Sequence, residues 1–273
     1  MADSPHHWPV DAHVHFHRPE RVAATLDAAA VNFRAVVGRG RNDILGGLLL
    51  AQSATERVFE GLRERKTIGS WELTMSASEP ETLVARRDGM CLVVVCGRQV
   101  RAADGLEVLA LGTCEEFDDG LALAQIVSAV RRSGAITVLP WGFGKWLGNR
   151  GRRVAAIMDD SGAQALYLGD NGARLQWLGR PARIRTMERL GFRVLPGTDP
   201  FPFGDDHRRV GGFGCLSGAE FDAGAPWRRL RAWLLEQTAS PPPYGQACGP
   251  MRFVINQGGI HLYRAAASRR PPA

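Results

Sequence analysis

The run Val10-Asp11-Ala12-His13-Val14-His15-Phe16-His17 is the stretch richest in groups that can do chemistry. In an extended segment alternate side chains fall on one side, which places Asp11, His13, His15 and His17 on one face. Val10, Ala12, Val14 and Phe16 take the other, as a buried strand requires. Neutral imidazoles two residues apart make a pair of ligands for a borderline divalent metal. Such a metal would polarise a phosphoryl or carbonyl oxygen and lower the pKa of a bound water.

Further candidates sit just past later strand-like segments, where parallel α/β folds place their chemistry. The segment ending at Leu139 runs into Pro140-Trp141 and then Lys145, and the one ending at Leu168 runs into Gly169-Asp170-Asn171-Gly172-Ala173-Arg174. The one ending at Leu195 runs into Pro196-Gly197-Thr198-Asp199-Pro200. The expected metal set is His13, His15 and Asp199, whose N/O donors suit zinc, manganese or iron. Asp170 and Glu107 are the candidate assisting ligand or base. Lys145 and Arg174, with Arg150, are the groups to engage a negative leaving group or phosphate.

The bulk composition narrows the field. Of the 273 residues 45% are hydrophobic, enough for a sizeable core, and no window approaches the ~18 apolar residues of a membrane span. No basic region followed by an apolar run opens the chain, which predicts no secretory signal and a cytoplasmic setting. Five cysteines, an odd number and none in a C-x-x-C pair, argue for reduced thiols. The net charge of +6 is spread without a basic block or interleaved aromatics, so an anionic small substrate accounts for it better than nucleic acid. Lys66 and Lys145 are the only lysines beside thirty-two arginines, a bias that fits a GC-rich genome and singles out Lys145.

The elements that must position these groups alternate. A helix is expected over Pro19–Ala35, a short strand at Ala35–Val37, and a helix capped by Asn42 or Asp43 running to about Arg65. The segment 68–112 reads as antiparallel hairpins: Trp71–Met75, Thr82–Ala85, Cys91–Cys96 and Leu106–Leu111, separated by turn residues. A βα rhythm then returns, with helices near 119–133, 149–160 and 182–190. Each leads to a strand, at Ala135–Leu139, Ala163–Leu168 and Phe192–Leu195. A last helix is expected near Trp227–Gln237, followed by the C-terminal extension, 238–273, with a linker at Ser240–Pro243 and a strand near Phe253–Ile255. The expectation is an α/β fold of one domain, 1–273: a (β/α) TIM-like barrel, seven-stranded or distorted, with the hairpin region inserted.

The order of motifs resembles the PHP family (polymerase and histidinol phosphatase domain), relatives of the amidohydrolases. Asp11-Ala12-His13-Val14-His15 is similar to its opening D-x-H-x-H, and Leu195-Pro196-Gly197-Thr198-Asp199-Pro200 to its closing G-S-D-A-H. Gly97-Arg98-Gln99-Val100 with Leu106–Gly112, Gly134–Trp141 and Ala165–Asn171 stand in the places of the intervening motifs. The resemblance implies a metal-dependent hydrolase on a barrel. Gln99 stands where the family has a glutamate ligand, Glu107 where it often has histidine, Trp141 near its lost His-Pro, and Phe201 where a last histidine follows. A full trinuclear site is therefore excluded.

The leading expectation is a metal-dependent hydrolase, a phosphoesterase acting on a small anionic substrate. A barrel that has lost catalysis and binds a ligand or protein is the second reading, favoured by the losses at Gln99, Trp141 and Phe201. The third is an amidohydrolase acting on a C–N bond, with Lys145 as a carbamate bridging metals.

Overall fold

The computed structural model describes residues 7–38, 44–142, 144–163 and 166–267. Strand β1, Trp8–Val14, precedes helix α1, Val22–Val37, and strand β2, Ile44–Leu50. Helix α2, Val58–Arg63, follows, then strands β3 (Thr67–Ile68), β4 (Trp71–Met75), β5 (Thr82–Arg87), β6 (Met90–Val95), β7 (Gly97–Arg101) and β8 (Glu107–Leu111). Helices α3 (Leu123–Arg132), α4 (Gly148–Ser161) and α5 (Ala182–Arg189) alternate with strands β9 (Ile136–Pro140), β10 (Tyr167–Asn171) and β11 (Arg193–Gly197). Strand β12 (Phe213–Ser217), helix α6 (Pro226–Glu236), strand β13 (Pro243–Gly245) and helix α7 (Pro250–Ala267) complete the chain.

The strands form two mixed sheets, not the expected TIM-like barrel. Eight run in the order β13-β12-β1-β2-β6-β5-β4-β3 and five in the order β11-β10-β9-β8-β7. Parallel pairing is confined to β1, β2 and β6 in one sheet and β9, β10 and β11 in the other; the remaining pairs are antiparallel. The hairpin region is the physical reason no single parallel ladder runs round. β6 pairs parallel to β2, but its other edge is taken by the antiparallel β5 of the β4-β5-β6 meander, and β8 enters its sheet antiparallel to β9. The two sheets touch at both ends without a ladder. At one, Gln52 N–H donates to Gly97 O (3.0 Å) and Gln99 N–H to Gln52 O (2.8 Å); at the other, Asp199 N–H donates to His13 O (2.8 Å).

The core lies in three bodies. Trp8, Val10, Ala12, Val93, Val95, Leu109, Val138, Tyr167 and Leu195 fill the space between the sheets, with Trp227, Leu230 and Leu234 of α6 entering it. α1 and α2 cover the outer face of the larger sheet, and α3, α4 and α5 that of the smaller. In α1, Val22, Leu26, Ala29, Ala30 and Phe33 recur at helical spacing and are buried, the stripe that makes this segment a helix.

Several segments differ from the sequence reading. The run Ile44–Leu50 is a strand where a helix was expected: hydrogen-bonded to parallel neighbours on both edges and buried on both faces, it reads as continuous apolar residues whose leucines mimic helical spacing. Its Gly46 lets Phe33 lie directly on the strand, since a Cβ there would fall 2.2 Å from the ring. α1 extends through Ala35–Val37, and Phe253–Ile255 belongs to α7. The proposed caps Asn42 and Asp43 lie outside the described residues, as do Gln164 and Ala165 of the segment expected as strand. Among the described residues no helix is long and apolar enough to cross a membrane.

Candidate metal centre

β1 is buried along its whole length, and its simple alternation breaks where it matters. Trp8, Val10 and Ala12 point between the sheets, whereas Val14 and Phe16 point beneath α1. The register against β2 shifts between Asp11 and Val14, as a bulge produces. Asp11 therefore parts from the histidines instead of sharing their face. Its buried carboxylate accepts from Thr198 N–H (2.9 Å) and His13 N–H (3.3 Å) on one oxygen, and from the Thr198 hydroxyl (2.6 Å) and Gly211 N–H (2.9 Å) on the other. It ties β1 to the loop after β11, which carries Asp199. Burial pushes the Asp11 carboxyl up to about 6, against those hydrogen bonds.

The three expected ligands meet. Their donor atoms all lie within 4.8 Å of one another. His13 Nε2 and His15 Nε2 are 3.2 Å apart, and each is 3.6 Å from Asp199 Oδ1. Gln99 Oε1 lies 3.2 Å from His13 Nε2. Ligand atoms bound at about 2.05 Å in a tetrahedral site are separated by about 3.3 Å, a spacing close to these. Asp199 reaches its place from a left-handed backbone, φ +45°, a conformation aspartate tolerates better than most residues. The Asn171 amide donates to its Oδ2, and the Asn171 Oδ1 is fixed in turn by Ala173 N–H (2.6 Å).

The electrostatics separate the two imidazoles. Burial, joined by the like charge of His15, holds His13 below the ordinary histidine range despite Asp199. His15 is equally buried, yet the hydrogen bond and charge of Glu56, with the charge of Asp199, raise it. Asp199 is held below the carboxylate range: burial opposes this, but the charges of His13, His15 and Lys145 outweigh it.

Glu56 is the residue the sequence reading missed. Its Oε2 lies 3.4 Å from His15 Nδ1 and accepts from Ser53 N–H at 2.8 Å, while its Oε1 lies 2.5 Å from His17 Nδ1. His17 also donates through Nε2 to Pro200 O (2.7 Å). Burial would raise the Glu56 carboxyl, but its bonds to both histidines hold it well below the usual range. The signal was present: with Ile44–Leu50 read as a strand, Glu56 falls in a strand-end loop instead of mid-helix. Asn171 was in view only within the run past Leu168, with no role of its own.

The remaining candidates divide. A cavity of about 1360 Å³ opens beside the centre, lined by His15, Gln99 and Asp199 together with Glu107, Lys145 and Arg174. Lys145 Nζ lies 2.5 Å from Glu107 Oε2. Asp170 is not in that wall. It is fully buried and clamped by Arg174 (2.6 and 3.1 Å) and Arg180 (3.3 Å), which makes it the anchor that aims Arg174, not a base. Trp141 and Phe201 also line the cavity, and Phe201 stacks on Phe203 at 5.3 Å. Phe143 lies outside the described residues.

No family model and no curated protein matches the chain. The chain is similar in structure to PsfC from Pseudomonas syringae PB-5123, with a TM-score of 0.55 at 12% identity, covering 96% of this chain and 99% of that one. At that identity the likeness concerns the fold alone.

Proposed function

We propose that this chain is a metal-dependent hydrolase of small anionic esters, phosphoesters first among them. The convergence of His13, His15 and Asp199 from β1 and the loop after β11 carries the reading. Gln99 completes a set of nitrogen and oxygen donors suited to zinc, manganese or iron, with Asp199 its one carboxylate. A bound divalent ion supplies Lewis-acid polarisation of the ester oxygen and a water acidified toward neutral pH.

The protein's own residues supply the rest. His13, kept neutral by burial, is ready as a ligand without first losing a proton. Glu56 receives the Nδ1–H of His15 and so presents the other nitrogen to the centre, the outer carboxylate–histidine arrangement that raises a ligand's basicity. Asn171 and the Asp199 backbone hold the carboxylate in one orientation. Arg18, Arg101, Lys145, Arg150 and Arg174 line the cavity and draw an anion toward it. Lys145, held by Glu107, is placed to deliver a proton to a departing alkoxide and regains one from solvent.

Protein purified without an affinity tag should carry about one equivalent of zinc, manganese or iron. His13→Ala should lose that metal together with metal-dependent turnover of generic phosphoesters, and Asp199→Asn should lose the turnover. Less than about a tenth of an equivalent, unchanged in His13→Ala, would overturn the reading.

A further inference from the structure

We propose that Cys96 and Cys114 form a peroxide-driven, reversible disulfide that acts on the join between the two sheets. The inference is independent of the metal centre. Cys96 directly follows β6, and its carbonyl accepts from Gly112 N–H (2.9 Å) and Thr113 N–H (3.1 Å). That fixes the end of β6 against the segment leaving β8 and brings Cys114, one residue further on, beside it. The two side chains interact and pack in the same core, and the Cys114 thiol donates to Pro80 O at 3.9 Å. Both are free.

They are unequal partners, as a switch requires. Cys96 is fully buried, while Cys114 is half-buried and reachable from solvent. Its contact with Cys96, aided by the charges of Arg63 and Arg98, lowers the Cys114 thiol against burial, whereas Cys96 is raised by that same contact and by burial. Thiolate character and access select the cysteine that oxidises first. Cys114 therefore attacks one oxygen of hydrogen peroxide, the O–O bond breaks, and the departing hydroxide leaves as water once protonated. The Cys96 sulfur then attacks the sulfenic sulfur of Cys114. The S–S bond forms, the S–O bond breaks, and the hydroxide takes the Cys96 proton as a second water. One peroxide is reduced and two thiols are oxidised.

The position gives the bond a target. Arg98, almost fully buried, donates to the carbonyls of Cys114, Glu115 and Glu56 (3.4 Å each) and pairs with Glu60 at 2.5 Å. Gln52, whose amide approaches Cys96 Sγ at 3.9 Å, holds Phe59 N–H at 2.8 Å. The cysteine pair thus abuts the 52–60 segment at the join.

The test uses the full chain carrying Cys91→Ser, because Cys91 shares a tryptic peptide with Cys96. After treatment with hydrogen peroxide, thiol titration should show two thiols lost, both restored by dithiothreitol. Peptide mapping without reductant should show Cys96 joined to Cys114. In the Cys91→Ser/Cys114→Ser protein, Cys96 should stay alkylatable under the same treatment. Unchanged thiols, a bridge between other cysteines, or Cys114 gaining two oxygens while Cys96 remains free would each overturn the proposal.

Discussion

Asp11 decides between two opposed effects, burial and hydrogen bonding, at a carboxylate that holds the centre together. It is fully buried and accepts four hydrogen bonds, and burial wins, placing its pKa at about 6 against 3.8 unfolded. A carboxyl raised on folding contributes stability in full below pH 3.8, and that contribution is lost as the pH climbs through 6. With about 1.36 kcal/mol per unit, the loss from about pH 4 to about pH 7.5 is about 2.4 kcal/mol. Asp11→Asn cannot titrate, so the difference between the two proteins cancels every other ionisation. Near pH 4, where the folded Asp11 is itself protonated, the variant should be the less stable by about 1 kcal/mol, since its amide turns two N–H groups toward this set of donors where the acid turns one O–H. By about pH 7.5 the difference should move by about 2.4 kcal/mol in the variant's favour, leaving it ahead. Urea unfolding of both proteins across this range measures it. A deficit that grows with pH would refute the reasoning, because the four donors would then favour the charged form more than burial disfavours it.

Glu56→Gln should weaken metal binding by about 10–100-fold without unfolding the chain, measured by competition with a chromophoric chelator; a change below about threefold would remove Glu56 from the outer sphere. Because His15 is raised, metal must displace its proton. Binding should release protons and weaken as pH falls, read by calorimetry in buffers of different ionisation enthalpy. In the metal-free protein the same raised histidine contributes stability that is present below pH 6.5 and fades as pH rises through its folded value. Gly97→Ala would place a Cβ 2.2 Å from Leu50 O and 2.8 Å from Ala110 O, both backbone atoms at the join of the sheets. It should cost about 3 kcal/mol or more in urea unfolding, and a loss under about 1 kcal/mol would show that the join yields.

How much of this was legible follows from the range of each interaction. β4, β5, β6 and β8 to β11 fall near their expected places because their turns and alternation are local signals. Ile44–Leu50 was not legible as a strand because its neighbours, β1 and β6, set its burial from a distance, and a strand hidden on both faces keeps no period of two. That error removed Glu56 from view. The barrel was inferred from βα alternation, which cannot register that β5 takes the far edge of β6. Asp170 looked catalytic beside a strand end, yet Arg174 four residues on and Arg180 ten residues on absorb its charge.

His13, His15 and Asp199 met even though the barrel expected to gather them did not form. The reason is that their meeting needs only β1 and β11 side by side with the strand ends at one rim. Asp199 N–H on His13 O and the Asp11 carboxylate on Thr198 secure that adjacency without any ladder between the sheets. Closure of the remaining strands adds nothing to it. The residue that carries the geometry is therefore Asp11, which stands outside the cluster. The first aspartate of Asp-x-His-x-His works as a brace, turned away from its histidines by the bulge in β1 and locked to the loop that bears Asp199.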